Sequence, residues 1–145
     1  KKFLSARLKY SGKGWLAWGV SSDRDGAMIG TQAVMGFPGI ENTPSHSNPG
    51  KYIISDKSSE GIELVSPSIQ TLQNASIVYD DDNGTELIFT KFLEEPQELK
   101  INTDGMNTFV WAVGMNNTKH YHKYRGIINL DLSACEIKQD SVGSQ

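Results

Sequence analysis

The stretch GWLAWGVSSDRDGAMIGTQAVMGF, residues 14–37, decides the fold of this chain. Within it, residues 15–20 (WLAWGV) alternate two sets of side chains along an extended backbone, and both sets are apolar. A strand that is apolar on both faces is covered on both faces, so we expect it to lie in the centre of a sheet. A glycine-flanked loop follows, and residues 31–37 (TQAVMGF) have the composition of the next strand.

Strand signals dominate the rest of the chain as well. They occur in residues 2–11, 51–57, 61–68, 74–81, 86–93, 108–114 and 126–133. The pair Asn83-Gly84 indicates a hairpin, whereas residues 38–50, 94–107 and 115–126 have the composition of loops. Short strands separated by turns, with no helical period, predict an all-β fold, an immunoglobulin-like antiparallel β-sandwich.

Composition limits the function classes. The chain has 145 residues, which fits one domain, and a net charge of −3 from 14 basic and 17 acidic residues. No basic stripe is present, so nucleic acid is not expected as a partner, and no apolar run is long enough to span a membrane. The chain opens inside a strand-like segment, so we expect it to be truncated at its N-terminus.

The cysteine count and the glycosylation sequons indicate the cellular compartment of the protein. The single cysteine, Cys135, excludes an internal disulfide and a cysteine-based metal site. It either pairs with a partner outside this chain or is a buried free thiol. Three Asn-x-Ser/Thr sequons, at Asn74, Asn83 and Asn116, fall in predicted turns or strand edges. They predict a secreted glycoprotein, exposed to the extracellular space or the lumen of the secretory pathway.

Two histidines and three aspartates form the other candidate sites. In an extended segment His120 and His122 point the same way and could share copper or zinc with a third ligand; the remaining histidine is His46. Uncommitted surface imidazoles are the more frequent case. The consecutive aspartates of DDDNG, residues 80–84, lack the alternate spacing of a calcium loop and favour a solvated turn. No nucleophile elbow or phosphate loop occurs, so nothing points to an enzyme.

Met28 lies between Gly26 and Gly30, in the loop of the opening stretch. Methionine is usually core filler, and we expect that role for Met35. A thioether and an imidazole are, however, the two axial ligands of many electron-transfer haems. The residues alone leave both interpretations of Met28 open.

Two segments resemble the DOMON domain family. Residues 14–37 are similar to its opening motif, a Trp-containing strand, a loop and Met-x-Gly-[Ser/Thr]-Gln-Ala. Residues 107–132 (NTFVWAVGMNNTKHYHKYRGIINLDL) are similar to its closing motif, a Trp-Ala-x-Gly turn followed by Tyr-His-x-x-Arg-Gly. The resemblance implies a β-sandwich of about ten strands over residues 1–135, followed by a flexible tail over residues 136–145.

Some DOMON domains bind haem b, among them the cytochrome domain of cellobiose dehydrogenase and domains attached to cytochrome b561-type membrane proteins. In this chain the resemblance places the axial ligands at Met28 and His122, and His122 is preferred to His120 because it belongs to YHKYRG. Lys123 or Arg125 could neutralise a haem propionate. Candidate wall residues of the haem slot, from strands 31–37, 86–93 and 108–114, are Ala33, Met35, Phe37 and Phe89.

The resemblance therefore implies an electron-transfer domain that works with a separate redox partner protein or a fused redox domain, either a cytochrome b561-type membrane domain or a dehydrogenase. The chain departs from those relatives in lacking a helical cytochrome and in its lone Cys135. Other DOMON domains bind no haem. The alternative is thus a haem-free module for carbohydrate or another small ligand, with Tyr52, Tyr79 or Tyr124 stacking on sugar rings.

Overall fold

A computed structural model of the chain describes residues 2–23, 25–26, 28, 30–55, 61–118 and 122–134. These residues form nine β-strands and two short 3-10 turns, Pro67–Ile69 and Leu132–Ala134. The strands are β1 Phe3–Tyr10, β2 Leu16–Ser21, β3 Gln32–Gly36, β4 Gly50–Ile54, β5 Ile62–Leu64, β6 Gln73–Asp80, β7 Gly84–Phe92, β8 Met106–Gly114 and β9 His122–Asp131. The predicted tail and Cys135 lie outside the described residues.

The strands form two antiparallel sheets. One has three strands in the order β1-β7-β6, and the other has six in the order β5-β4-β3-β2-β8-β9. The prediction of an all-β sandwich is confirmed. Strand β2 lies inside the larger sheet between β3 and β8, and all six of its residues are buried, as its two apolar faces predicted. Among the described residues, no helix is long and apolar enough to cross a membrane.

The first core lies between the two sheets. Strands β1 and β7 alternate inward and outward side chains, and β7 contributes Leu87 and Phe89, both fully buried. Across the interface the Trp18 ring packs against Phe89 at a centroid distance of 5.3 Å, and within its own sheet it packs against Phe109 on β8 at 5.1 Å. Each such side chain contributes about 1.5–3 kcal/mol through the burial of apolar surface.

A second core lies on the outer face of the six-stranded sheet. Its buried members are Trp15, Ala17, Ala33, Met35, Phe37, Tyr52 and Ile54. They alternate along β2, β3 and β4 with the side chains of the first core, because neighbouring strand residues point to opposite faces. The second core therefore explains why the outer side of β2 is apolar, and it borders the candidate site.

Several local predictions were wrong in their boundaries. Residues 61–68 were predicted as one strand, but β5 ends at Leu64 and Pro67–Ile69 form a 3-10 turn. Strand β9 begins at His122 and not at residue 126, because residues 122–125 already pair with β8; their polar, exposed side chains resembled a loop in the sequence. The hairpin predicted at Asn83-Gly84 is present between β6 and β7. Strand β7 begins at Gly84 and not at residue 86, because Gly84 already pairs with Asp80, and residues 81–83 form the turn. Gly84 has a φ of 80°, and a Cβ there would lie 2.2 Å from the Tyr10 carbonyl oxygen.

Candidate functional site

A cavity of about 280 Å³ opens on the outer face of the six-stranded sheet. Its floor is made of small residues on three adjacent strands, Ala17 and Gly19 of β2, Ala33 of β3 and Ala112 of β8. Strand pairing sets Ala17 beside Ala112 and Gly19 beside Ala33. Small side chains at neighbouring positions, bordered by larger ones, leave a hollow in the middle of the sheet.

One wall of the cavity is the loop between β2 and β3, which carries Met28. Hydrogen bonds on the β3 side of Met28 hold this loop, among them those from the Gly30 amide to the Ile54 carbonyl (2.9 Å) and from the Thr31 amide to the Met28 carbonyl (3.2 Å). The Met28 side chain is half-buried and packs against the second core. The loop thus holds a thioether at the edge of the cavity.

The glycines that flank Met28 have separate reasons to be glycine. Gly26 and Gly30 have φ values of 72° and 89°, in the region that side chains rarely adopt. A Cβ at Gly26 would also lie 2.0 Å from Cγ2 of Ile127 on β9. Gly26 therefore allows the loop to close against β9. At Gly30, the nearest atom to an added Cβ would be Ser22 Oγ at 3.9 Å. Space for a side chain is therefore available, and the positive φ of Gly30 is the reason for glycine there.

The opposite wall is β9, which brings His122 to the cavity through a β-bulge. The pairing between β8 and β9 shifts register between Val113 and Gly114, so that Val113 pairs with Tyr124 and Gly114 with His122. Lys123 is the extra residue. Because a bulge reverses the alternation of side chains, His122 and Arg125 both line the cavity although an odd number of positions separates them. Both side chains are exposed and form the rim.

The predicted ligands thus line one cavity, although they are far apart in sequence. Of the other predicted wall residues, Ala33 and Met35 also line it, and Met35 is buried at 3% exposure. Phe37 does not; it lies behind the cavity, between Trp15 and Tyr52, at ring distances of 5.9 and 6.0 Å.

Phe89 is placed elsewhere, and so is the whole of β7. This strand belongs to the three-stranded sheet, and Phe89 packs on Trp18 in the first core. The expectation that residues 86–93 form a slot wall is therefore wrong. Of the two predicted propionate partners, Arg125 lines the cavity, whereas the Lys123 ammonium lies 5.5 Å from the Tyr124 ring centroid.

The sequence interpretation missed several lining residues. Apolar lining is added by Trp15, Ile54, Ile62, Val110, Trp111 and Ile127, and a carboxylate by Asp25. The alternation of residues 108–114 places Val110 and Ala112 on one face, which was the available signal. Ile127 could not be assigned in this way, because the bulge and the strand start were both unknown.

The alternative ligand sites are dispersed or undescribed. Tyr52 is 4% exposed, so the prediction that it stacks on a sugar is wrong; burial also raises its pKa to about 12. Tyr79 donates to Asp81 in the β6–β7 turn, and Tyr124 packs edge-on to Tyr10. His120 lies outside the described residues, within which no group of three or more His, Cys, Asp or Glu side chains is placed to hold a metal.

The acidic turn and the sequons lie at the surface. The Asp80 carboxylate accepts hydrogen bonds from the amides of Asn83 and Asp82, and these bonds hold its pKa below the usual range. Asn74 and Asn83 are exposed, on edge strand β6 and in its turn. Asn116 is half-buried, and its Oδ1 accepts from the amide and the hydroxyl of Thr118. Glycosylation at all three remains a prediction.

A buried cluster of four charges lies on the inner side of the six-stranded sheet. We call it the Lys–Glu cluster: Lys51 of β4, Lys91 of β7, and Glu95 and Glu98 of the following loop. The Lys51 ammonium is 2.8 Å from Glu95 and 2.7 Å from Glu98, and the Lys91 ammonium contacts the same two carboxylates. Burial raises the pKa of Glu95, but hydrogen bonds from Lys51 and Thr71 outweigh it and leave that pKa below its usual value.

The Lys–Glu cluster joins the two sheets, because β4 and β7 belong to different sheets. One sign of it was visible in the sequence, since Lys91 shares a face of residues 86–93 with the apolar Leu87 and Phe89. No family model, curated protein or solved structure matches this chain. The candidate function therefore rests on the cavity and on the motif resemblance.

Proposed function

We propose that this chain is a DOMON domain that binds haem b in the outer-face cavity, with Met28 and His122 as axial ligands, and that it serves in single-electron transfer. One observation carries the proposal. The methionine and the histidine that the motif resemblance selects line the same cavity, one on each wall.

The residues present fit such a group. Thioether and imidazole form a known axial pair. The lining is predominantly apolar and aromatic, as in sites for cofactors. At about 280 Å³ the cavity lies just below the range of about 300–1,000 Å³ for small-molecule sites. The rim is open where His122 and Arg125 are exposed, so a larger ligand would extend beyond the enclosed part.

Several residues around the cavity have separate roles in this proposal. Iron bound by the Met28 thioether and the His122 imidazole would have no open coordination position, so it would supply single-electron transfer. The Gly26–Ile127 contact and the loop hydrogen bonds orient Met28. Trp15, directly before β2, would add a buried apolar surface beside the floor. At the rim, the Arg125 guanidinium supplies a cation for a carboxylate of the ligand.

The proposed setting is extracellular or lumenal. The electron donor or acceptor is a separate redox protein or a fused domain, of the cytochrome b561 type or a dehydrogenase. The three sequons at exposed or half-buried positions support this setting. Such a protein would carry electrons and need no substrate pocket.

The test is the absorbance spectrum of the purified protein after expression with added haem. We expect a six-coordinate low-spin spectrum that is lost in Met28→Ala and in His122→Ala. Met115→Ala is the matched control, because Met115 is 56% exposed and outside the cavity lining. Retention of a low-spin spectrum in both ligand variants would contradict the ligand assignment.

A protein that takes up no haem would contradict the proposed function as a whole. Carbohydrate binding by that haem-free protein would then favour the alternative binding module. Metal analysis separates the third possibility. Bound copper or zinc that is lost when both His120 and His122 are changed would identify a histidine site.

A further inference from the structure

Strand β9 forms one edge of the six-stranded sheet among the strands that the structure describes. It is the last strand of the six-stranded sheet, and β8 is its single pairing neighbour among the strands that the structure describes. It spans ten residues, and nearly all are exposed. On the side away from β8, no described strand pairs with β9, so its backbone amides and carbonyls are placed to pair with another strand.

Four of the eight exposed side chains of β9 are apolar, although edge strands are normally rich in charge. Tyr124, Ile127 and Ile128 are 50%, 45% and 48% exposed, and Leu130 is 37% exposed. Proteins usually protect long edges with lysine, proline or a covering segment. Here the charged residues lie near the two ends of the strand, Lys123 and Arg125 at one end and Asp131 at the other.

That distribution makes β9 complementary to itself in an antiparallel pairing. When Ile127 lies opposite its own copy, Tyr124 lies opposite Leu130 and Arg125 opposite Asn129. Lys123 then lies opposite Asp131, so no cation faces a cation. Apolar pairs form on both faces of the joined sheet, and cross-strand pairs of this kind stabilise a sheet.

We propose that β9 is the interface of a two-fold symmetric dimer of this chain, in which two six-stranded sheets join edge to edge. A two-fold axis perpendicular to the sheet keeps the outer faces on one side. The two cavities would then lie next to each other, because His122, Arg125 and Ile127 line the cavity from β9 itself. The dimer does not depend on haem binding.

The first test is sedimentation equilibrium of the haem-free protein over the micromolar range. An edge contact buries less area than a standard interface of about 1,600 Å², so we expect a micromolar dissociation constant. The double variant Ile128→Lys/Leu130→Lys should raise that constant at least about tenfold by placing cations beside the partner's strand. The matched control is Val78→Lys, because Val78 is 56% exposed on β6, another edge strand.

The second test fixes the register and does not require a destabilised variant. In a Cys135→Ser background, Ile127→Cys should form an intermolecular disulfide under mild oxidation. Directly opposite residues have Cα atoms about 4.5–5.5 Å apart, within the range for a disulfide. Asn129→Cys lies on the same face but about 13 Å from its own copy in this register, so it should stay reduced.

The results distinguish a dimer formed through β9 from a monomer and from a dimer formed through another surface. A protein that stays monomeric at all concentrations, or a dimer unaffected by the β9 lysines, overturns the proposal. Equal cross-linking by both cysteines overturns the register. A dimer without haem uptake would support this interface and contradict the proposed function, so the two proposals fail independently.

Discussion

The Lys–Glu cluster gives the sharpest stability prediction, the effect of Glu95→Gln. The side chains of Lys51 and Lys91 are each 6% exposed, and that of Glu95 is 7% exposed. The substitution keeps the shape of the side chain but leaves two buried cations with one carboxylate, that of Glu98. Removing one partner of a buried ion pair costs about 3–5 kcal/mol. We expect the lower value, about 3 kcal/mol, because Glu98 still contacts both ammonium groups.

The assay is urea unfolding followed by tryptophan fluorescence, with thermal unfolding as a second measurement. For a domain of this size, about 3 kcal/mol corresponds to a decrease in Tm of roughly 10 °C. Glu94→Gln is the control, since Glu94 is 73% exposed and its distance to Lys100 is 3.9 Å. It should change stability by less than about 0.5 kcal/mol.

The pairing can be isolated in a double variant. Adding Lys91→Met to Glu95→Gln removes the excess cation, so part of the lost stability should return. A Glu95→Gln variant within about 1 kcal/mol of the wild type would refute the reasoning, since surface ion pairs contribute that little. It would mean that water reaches the cluster.

Three further predictions concern pH, the Met28 loop and the cavity floor. The pKa of Glu95 is lowered in the folded protein, so its contribution is present above the unfolded value of about 4.3 and is lost as pH falls through the folded value. Urea titrations in acid should therefore show a steeper loss of stability in the wild type than in Glu95→Gln. Gly26→Ala should lower the free energy of unfolding by about 1–2 kcal/mol, because Gly26 has a φ of 72°. It should also lower haem affinity, because the added Cβ displaces the loop from Ile127. An unchanged haem affinity would show that the position of the loop does not affect the site. Ala112→Leu should fill the floor and lower haem affinity at least tenfold with little change in Tm, and unaltered haem uptake would place the ligand elsewhere.

The larger features of the fold could be read from the sequence because they depend on local alternation. The two apolar faces of residues 15–20 predicted a central, doubly covered strand, and β2 is such a strand. The strand signals in residues 2–11 predicted a strand, and β1 spans Phe3–Tyr10. The glycines around Met28 marked a turn of unusual conformation, and both have positive φ.

Only the tertiary structure decided which residues meet. Phe89 and Met35 are equally apolar in sequence, yet sheet membership puts Phe89 in the inner core and Met35 at the cavity. The Lys–Glu cluster depends on how β4 stacks over β7, and no local pattern encodes that contact. His122 reaches the cavity through a one-residue bulge, and such a shift reverses every side chain beyond it. Local periodicity thus fixes the faces of each strand, whereas strand pairing and stacking fix what those faces touch.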